Sequence, residues 1–127
     1  MTRTWIPLVA AGIATLALAG PAVAAPAAPA SASKCGTKYC INVKGSGLHV
    51  DSATVSLKSG AAVTGYFYLE ASTGSGATFY WTPKLTNAYS ATFYDITFTR
   101  TVSLCGGENA VKSNVDHVGD GCVSVHA

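Results

Sequence analysis

Polar and apolar residues alternate through much of this 127-residue chain. Residues 63–71 are the clearest case: Val63, Gly65, Phe67, Leu69 and Ala71 hold one parity, and Thr64, Tyr66, Tyr68 and Glu70 hold the other. A period of two marks a strand with one face buried. The stretch STGSG at 72–76 reads as a hairpin loop, returning in a partner strand over 77–82. Pro83 ends that strand, because proline has no N–H to give to a ladder.

The same reading extends to both sides. Residues 39–44 make a short strand, and Gly45-Ser46-Gly47 turns it into a longer one over 48–57. There the apolar parity passes from Leu48 and Val50 to Ala53, Val55 and Leu57, which predicts a bulge or a sheet change at Asp51-Ser52. The longest alternation covers 94–104, with Tyr94, Ile96, Phe98, Val102 and Leu104 on one side. It exceeds an ordinary strand, and Arg100 is the one charge on its apolar parity, so a kink or turn is expected there. CGGEN at 105–109 reads as a loop, 110–116 as a weak strand, GDG at 119–121 as a turn and 122–126 as the last strand. No part of this region keeps a helical i, i+3, i+4 rhythm.

Frequent turns between short strands predict an all-β domain over 34–127. The expected form is a small antiparallel β-sandwich, with the immunoglobulin-like arrangement among its options and a small β-barrel as the alternative.

The start of the chain reads differently. Arg3 supplies a positive n-region, an apolar run follows, and Ala22-Val23-Ala24 has the small-x-small pattern of a signal peptidase site. Residues 1–24 are therefore expected to be a secretory signal peptide cut after Ala24, and 25–33 an Ala/Pro/Ser-rich linker. The expected location is extracellular, with no membrane insertion.

An oxidising compartment gives the four cysteines a role. Cys35, Cys40, Cys105 and Cys122 make an even set, which argues for two disulfides. Three pairings exist; Cys35 with Cys40 and Cys105 with Cys122 are favoured, because each closes a nearby loop. The larger ring should contribute roughly 3 kcal/mol by loop entropy. No Cys-x-x-Cys pair is present, so a zinc site is disfavoured, and neither a metal nor a cofactor is expected.

Charge narrows the functions. The formal net charge is +2 and the lysines are scattered, without the concentrated basic footprint that nucleic acid requires. Among candidate chemistries, His49, Asp51 and Ser52 in LHVDS lack a nucleophile elbow. Asp116, His117 and Asp120 form a polar turn that departs from the EF-hand pattern. A nuclease could be assembled from Glu70 or Glu108 with His117 and Arg100, but without a basic groove. These residues favour binding over catalysis.

The aromatics suggest what binds. If Phe67 and Leu69 face inward, Tyr66 and Tyr68 face outward. If Phe79 and Trp81 face inward across the hairpin, Tyr80 joins the two tyrosines. Tyr66, Tyr68 and Tyr80 would then form an amphipathic platform. Trp81 beside them is read first as core and is kept in the candidate set. The expected partner is an extracellular polysaccharide, or a secreted protein captured by the loops at 72–76 or 105–109. The alternatives are an inhibitor of an extracellular hydrolase or a structural envelope or matrix protein.

Overall fold

Two antiparallel sheets face each other across a core built from alternate residues of their strands. The computed structural model describes residues 31–127. The strands are β1 (Ala32–Cys35), β2 (Tyr39–Ser46), β3 (His49–Leu57), β4 (Val63–Thr73), β5 (Gly76–Trp81), β6 (Leu85–Ala88), β7 (Ser90–Thr97), β8 (Val102–Asn109) and β9 (Gly121–Val125). One sheet runs β1-β2-β3-β7, and the other runs β5-β4-β8-β9 with β6 also pairing β4. The architecture is a sandwich and not a closed barrel. Its second strand pairs with the third, whereas an immunoglobulin sheet sets the second strand beside the fifth. The expected signal peptide lies outside the described residues, as does most of the expected linker. The linker's last two residues, Ala32 and Ser33, pair with Val43 and Asn42 in the first sheet.

The alternation in the sequence becomes the core. Ile41, Val43, Val50, Val55, Phe67, Leu69 and Leu104 are fully buried between the sheets. Each such side chain stabilises the fold by about 1.5–3 kcal/mol relative to exposure. The parity change in the third strand is a bulge: Lys44 pairs with Ser52 and Gly45 with Val50, leaving Asp51 as the extra residue. Strand β7 stays in register with β3 past this point, with Val50 opposite Ile96 and Ser52 opposite Tyr94. Asp95 occupies the matching position with a left-handed φ of 60°. Phe93 and Ile96 both reach the core as a result. The long alternation is also interrupted at Arg100, as expected, since β7 ends at Thr97 and β8 begins at Val102.

Two expectations fail here. Residues 105–109 are not a loop but the second half of β8, paired with β4 throughout. The glycines that suggested a loop are there for close approach. A Cβ on Gly106 would meet the side chain of Val55 from the opposing sheet, and one on Gly107 would meet the Tyr68 hydroxyl and the Asp120 carboxylate. Residues 110–116 form no strand. Asn114 and His117 in this connection take φ of 53° and 59°, which no strand accommodates.

Both disulfides form as expected, Cys35 with Cys40 and Cys105 with Cys122. Each joins directly opposed residues of adjacent strands, β1 with β2 and β8 with β9.

Candidate functional site

The outer face of the second sheet carries the candidate site, and its composition follows from the register of one hairpin. Strand β4 pairs with β5 as Leu69 with Tyr80, Tyr68 with Trp81 and Glu70 with Phe79. Leu69 is core, so Tyr80 turns inward and packs against the core. Phe79 and Trp81 turn outward, beside Tyr66, Tyr68 and Glu70. The expectation was the reverse on β5, with Tyr80 outward and Trp81 in the core.

These outward rings touch. Phe79 and Trp81 lie near-parallel, 14° apart with centroids at 5.7 Å. Tyr68 meets both, at 5.8 and 5.3 Å, and Tyr66 meets Trp81 edge-on at 6.4 Å. Tyr68 is nevertheless not a surface residue. It is only 2% exposed, because the connection between β8 and β9 folds over it. The three-tyrosine platform is therefore replaced by Phe79, Trp81 and Tyr66, with Tyr68 beneath.

Polar bonds hold that connection down. The Tyr68 hydroxyl donates to Asp120, 2.8 Å from Oδ1 and 2.7 Å from Oδ2. His117 Nδ1 lies 3.2 Å from Asp120 Oδ2, and its Nε2 lies 3.4 Å from Glu70 Oε1. The imidazole also stacks on Phe79, with centroids 6.0 Å apart. On the far side, the backbone N–H groups of Lys38 and Tyr39 donate to the Gly119 carbonyl. The Asp116 carboxylate accepts from the Val118 N–H. These bonds fix a segment that has no ladder of its own.

Burial shifts the groups beneath this segment. It pushes the Asp120 carboxyl up, against the opposing hydrogen bonds from Tyr68 and His117. The Tyr68 phenol is driven well above its ordinary value, first by burial and then by the carboxylate it serves. Beside them, Tyr39 is pushed up to about 12 by burial and by the negative charge of Glu108. The Tyr39 hydroxyl donates to Glu108 at 3.4 Å, a tie between the two sheets. Glu108 is itself raised by burial.

A groove of about 360 Å³ opens between the aromatic rings and the connection. Phe79 and Trp81 form one side; Glu70, His117, Lys112 and Asn114 are among the residues that complete it. Lys112 extends over Tyr66 with its Nζ 5.1 Å from the ring centroid. The Cys105–Cys122 bridge adjoins the groove, since Cys105 is the direct neighbour of Glu70 across the sheet. Such a site presents flat apolar surface for stacking, a carboxylate acceptor, and imidazole, amide and ammonium groups for hydrogen bonding.

The remaining candidates disperse. Glu70 and His117 meet, but Arg100 lines a different cleft and Glu108 is engaged by Tyr39. His49 sits on the other sheet, 3.1 Å from Asp51, 3.4 Å from Asp95 and 2.7 Å from the Thr97 hydroxyl. Among the described residues, no group of three His, Cys, Asp or Glu side chains could hold a metal ion. No helix among them is long and apolar enough to cross a membrane. What sequence reasoning missed was that Phe79, Glu70 and His117 lie together with Trp81 on one face. The signal was the even number of residues separating hairpin partners, which inverts β5.

In comparisons with known proteins, the chain matches no family model, no curated protein and no solved structure.

Proposed function

We propose that this protein is an exported binding module that holds an extracellular polysaccharide in the groove beside Phe79 and Trp81. The observation carrying this reading is the inversion of β5. An edge strand ordinarily turns its largest apolar side chains to the core. This one packs Tyr80 against the core and leaves Phe79 and Trp81 half-buried on the outer face. Leaving such surface in contact with water is unfavourable for folding alone, and exposed aromatic patches mark recognition sites.

Sugar chemistry matches the groove. A pyranose offers apolar C–H surface to a ring and hydroxyls to its surroundings. The two rings take the first, and Glu70, His117 and Asn114 take the second. Their positions are fixed before binding by Tyr68, Asp120 and the adjoining disulfide, which lowers the ordering cost of association. The low net charge suits a neutral polymer better than a polyanion. Export is part of the proposal, supported by the leader-like first 24 residues and by two disulfides.

The test is retention of the oxidised protein on insoluble wall glycans and storage polysaccharides. A Phe79→Ala/Trp81→Ala variant should lose about tenfold or more in affinity, the loss of 1.4 kcal/mol or more expected when a stacked ring is removed. Tyr94→Ala, exposed on the other sheet, should bind like the parent. Equal retention of the double variant, or no retention of the parent, would refute the proposal.

A protein partner is the second reading. Tyr94 is 71% exposed on the first sheet and Tyr89, between β6 and β7, is 61% exposed, and tyrosines are common interface anchors. On that reading Tyr94→Ala, and not the double variant, abolishes capture.

A further inference from the structure

We infer that the cleft beside Arg100 is a second binding site, built for a small carboxylate with an aromatic or short aliphatic body. The cleft lies where the two sheets part, between the β4–β5 hairpin and the connection joining β7 to β8. Its volume is about 370 Å³. Ala71 and Val102, at 6% and 5% exposure, form its floor. Tyr80 and Phe98 form its aromatic sides and pack on the core beneath. The hydroxyls of Thr73, Thr78 and Thr99 lie around the rim, and Arg100 stands among them.

Three observations point to an anionic occupant. The cleft is lined by one cation and no carboxylate. Every ion pair among the described residues involves a histidine, so no carboxylate of that region neutralises Arg100. The fold also places Arg100 in the connection that crosses from β7 in the first sheet to β8 in the second. It is exposed there and puts a cation at the lip of the cleft.

The chemistry follows from these parts. A guanidinium presents a planar fork that matches a carboxylate with two parallel hydrogen bonds. The floor and the two rings take up an apolar body of the size of one or two rings, and a cleft of this volume lies within the range of small-molecule sites. This site is separate from the glycan groove. Arg100 and Tyr80 line only the cleft, and Trp81 and Glu70 line only the groove.

The experiment is a ¹H–¹⁵N NMR titration of the oxidised protein with benzoate, 4-phenylbutyrate and 2-naphthoate, each beside its neutral amide. At least one carboxylate should shift the amides of Ala71, Ala77, Phe98 and Val102 saturably at millimolar concentration. Its amide, and the Arg100→Gln variant, should bind about tenfold or more weakly, as expected for losing a charge-assisted hydrogen bond. Arg100 is exposed, so the variant should keep the parent spectrum outside the cleft. Equal affinity for acid and amide, or unchanged affinity in Arg100→Gln, overturns the inference. So do shifts centred on Glu70 and Trp81 alone, or no shift with any probe. Phe79→Ala/Trp81→Ala should leave the carboxylate titration unchanged, so the two sites fail independently.

Discussion

Tyr68 donates its hydroxyl to both oxygens of Asp120, 52 residues further along the chain. This bond anchors the irregular segment between β8 and β9 onto the outer sheet face, and so forms one wall of the groove. Tyr68→Phe keeps the ring but leaves a buried carboxylate without its phenol donor. The loss should be about 2 kcal/mol of stability by urea unfolding. A double-mutant cycle with Asp120→Ala should show a coupling of about 1 kcal/mol or more, because either single change strands the other group. Additive losses would mean that the bond contributes little.

High pH should attack the same region. Tyr68 and Tyr39 both hold their protons above the ordinary phenol value of 10.0. Below pH 10 they are neutral in folded and unfolded chains alike, and their stabilising bonds are fully present. As pH rises past 10 the unfolded chain ionises first, so stability falls progressively, through about pH 12 for Tyr39. Unfolding curves from pH 9 to 12 should show this decline, and it should be shallower in Tyr39→Phe. A flat profile would contradict the burial of these phenols.

Gly107 gives a steric test. A methyl group there would meet the Tyr68 hydroxyl and the Asp120 carboxylate, whereas one on Gly74 in the β4–β5 turn would meet nothing within 4 Å. Gly107→Ala should therefore cost about 1–3 kcal/mol and weaken glycan retention, and Gly74→Ala should do neither. Thermal unfolding and the retention assay together check both variants.

The Cys105–Cys122 bridge should support both stability and binding. It spans 17 residues and adjoins Glu70. Replacing both cysteines by serine should remove roughly 3 kcal/mol of loop-closure stabilisation. It should also weaken glycan retention at temperatures where the variant is still folded. Retention equal to that of the parent under those conditions would separate the disulfide from the site.

How much of this was legible in the sequence depended on whether the information was local. Alternation identified most of the strands, the bulge at Asp51 and the break at Arg100, because each is a property of consecutive residues; it missed Ala32–Cys35 and Leu85–Ala88 and put a strand over 110–116 where none forms. Cysteine spacing gave the pairing for the same reason. Alternation also grouped Phe79 with Trp81 and Tyr66 with Tyr68. It could not say which group on β5 faced the core, because a strand's facing is set by its partner's register. The pairing of Thr73 with Gly76 leaves a two-residue turn, and that turn length inverted β5. The glycines at 106 and 107 misled because turn formation and close packing both favour a missing side chain. The burial of Tyr68 by residues near 120 was not legible, since nothing local to either segment announces a contact across 52 positions.

Trp81 provides the most direct test of glycan binding, because its indole stands in the groove itself. The measurement is a fluorescence titration of the oxidised protein with soluble oligosaccharides cut from any polysaccharide that retains it, with Trp81→Phe as the reference. The expected result is a saturable change in emission that is absent from Trp81→Phe and follows the same affinity order as retention. Retention of a glycan without any change at Trp81 would contradict the account, because the sugar would then bind away from the groove.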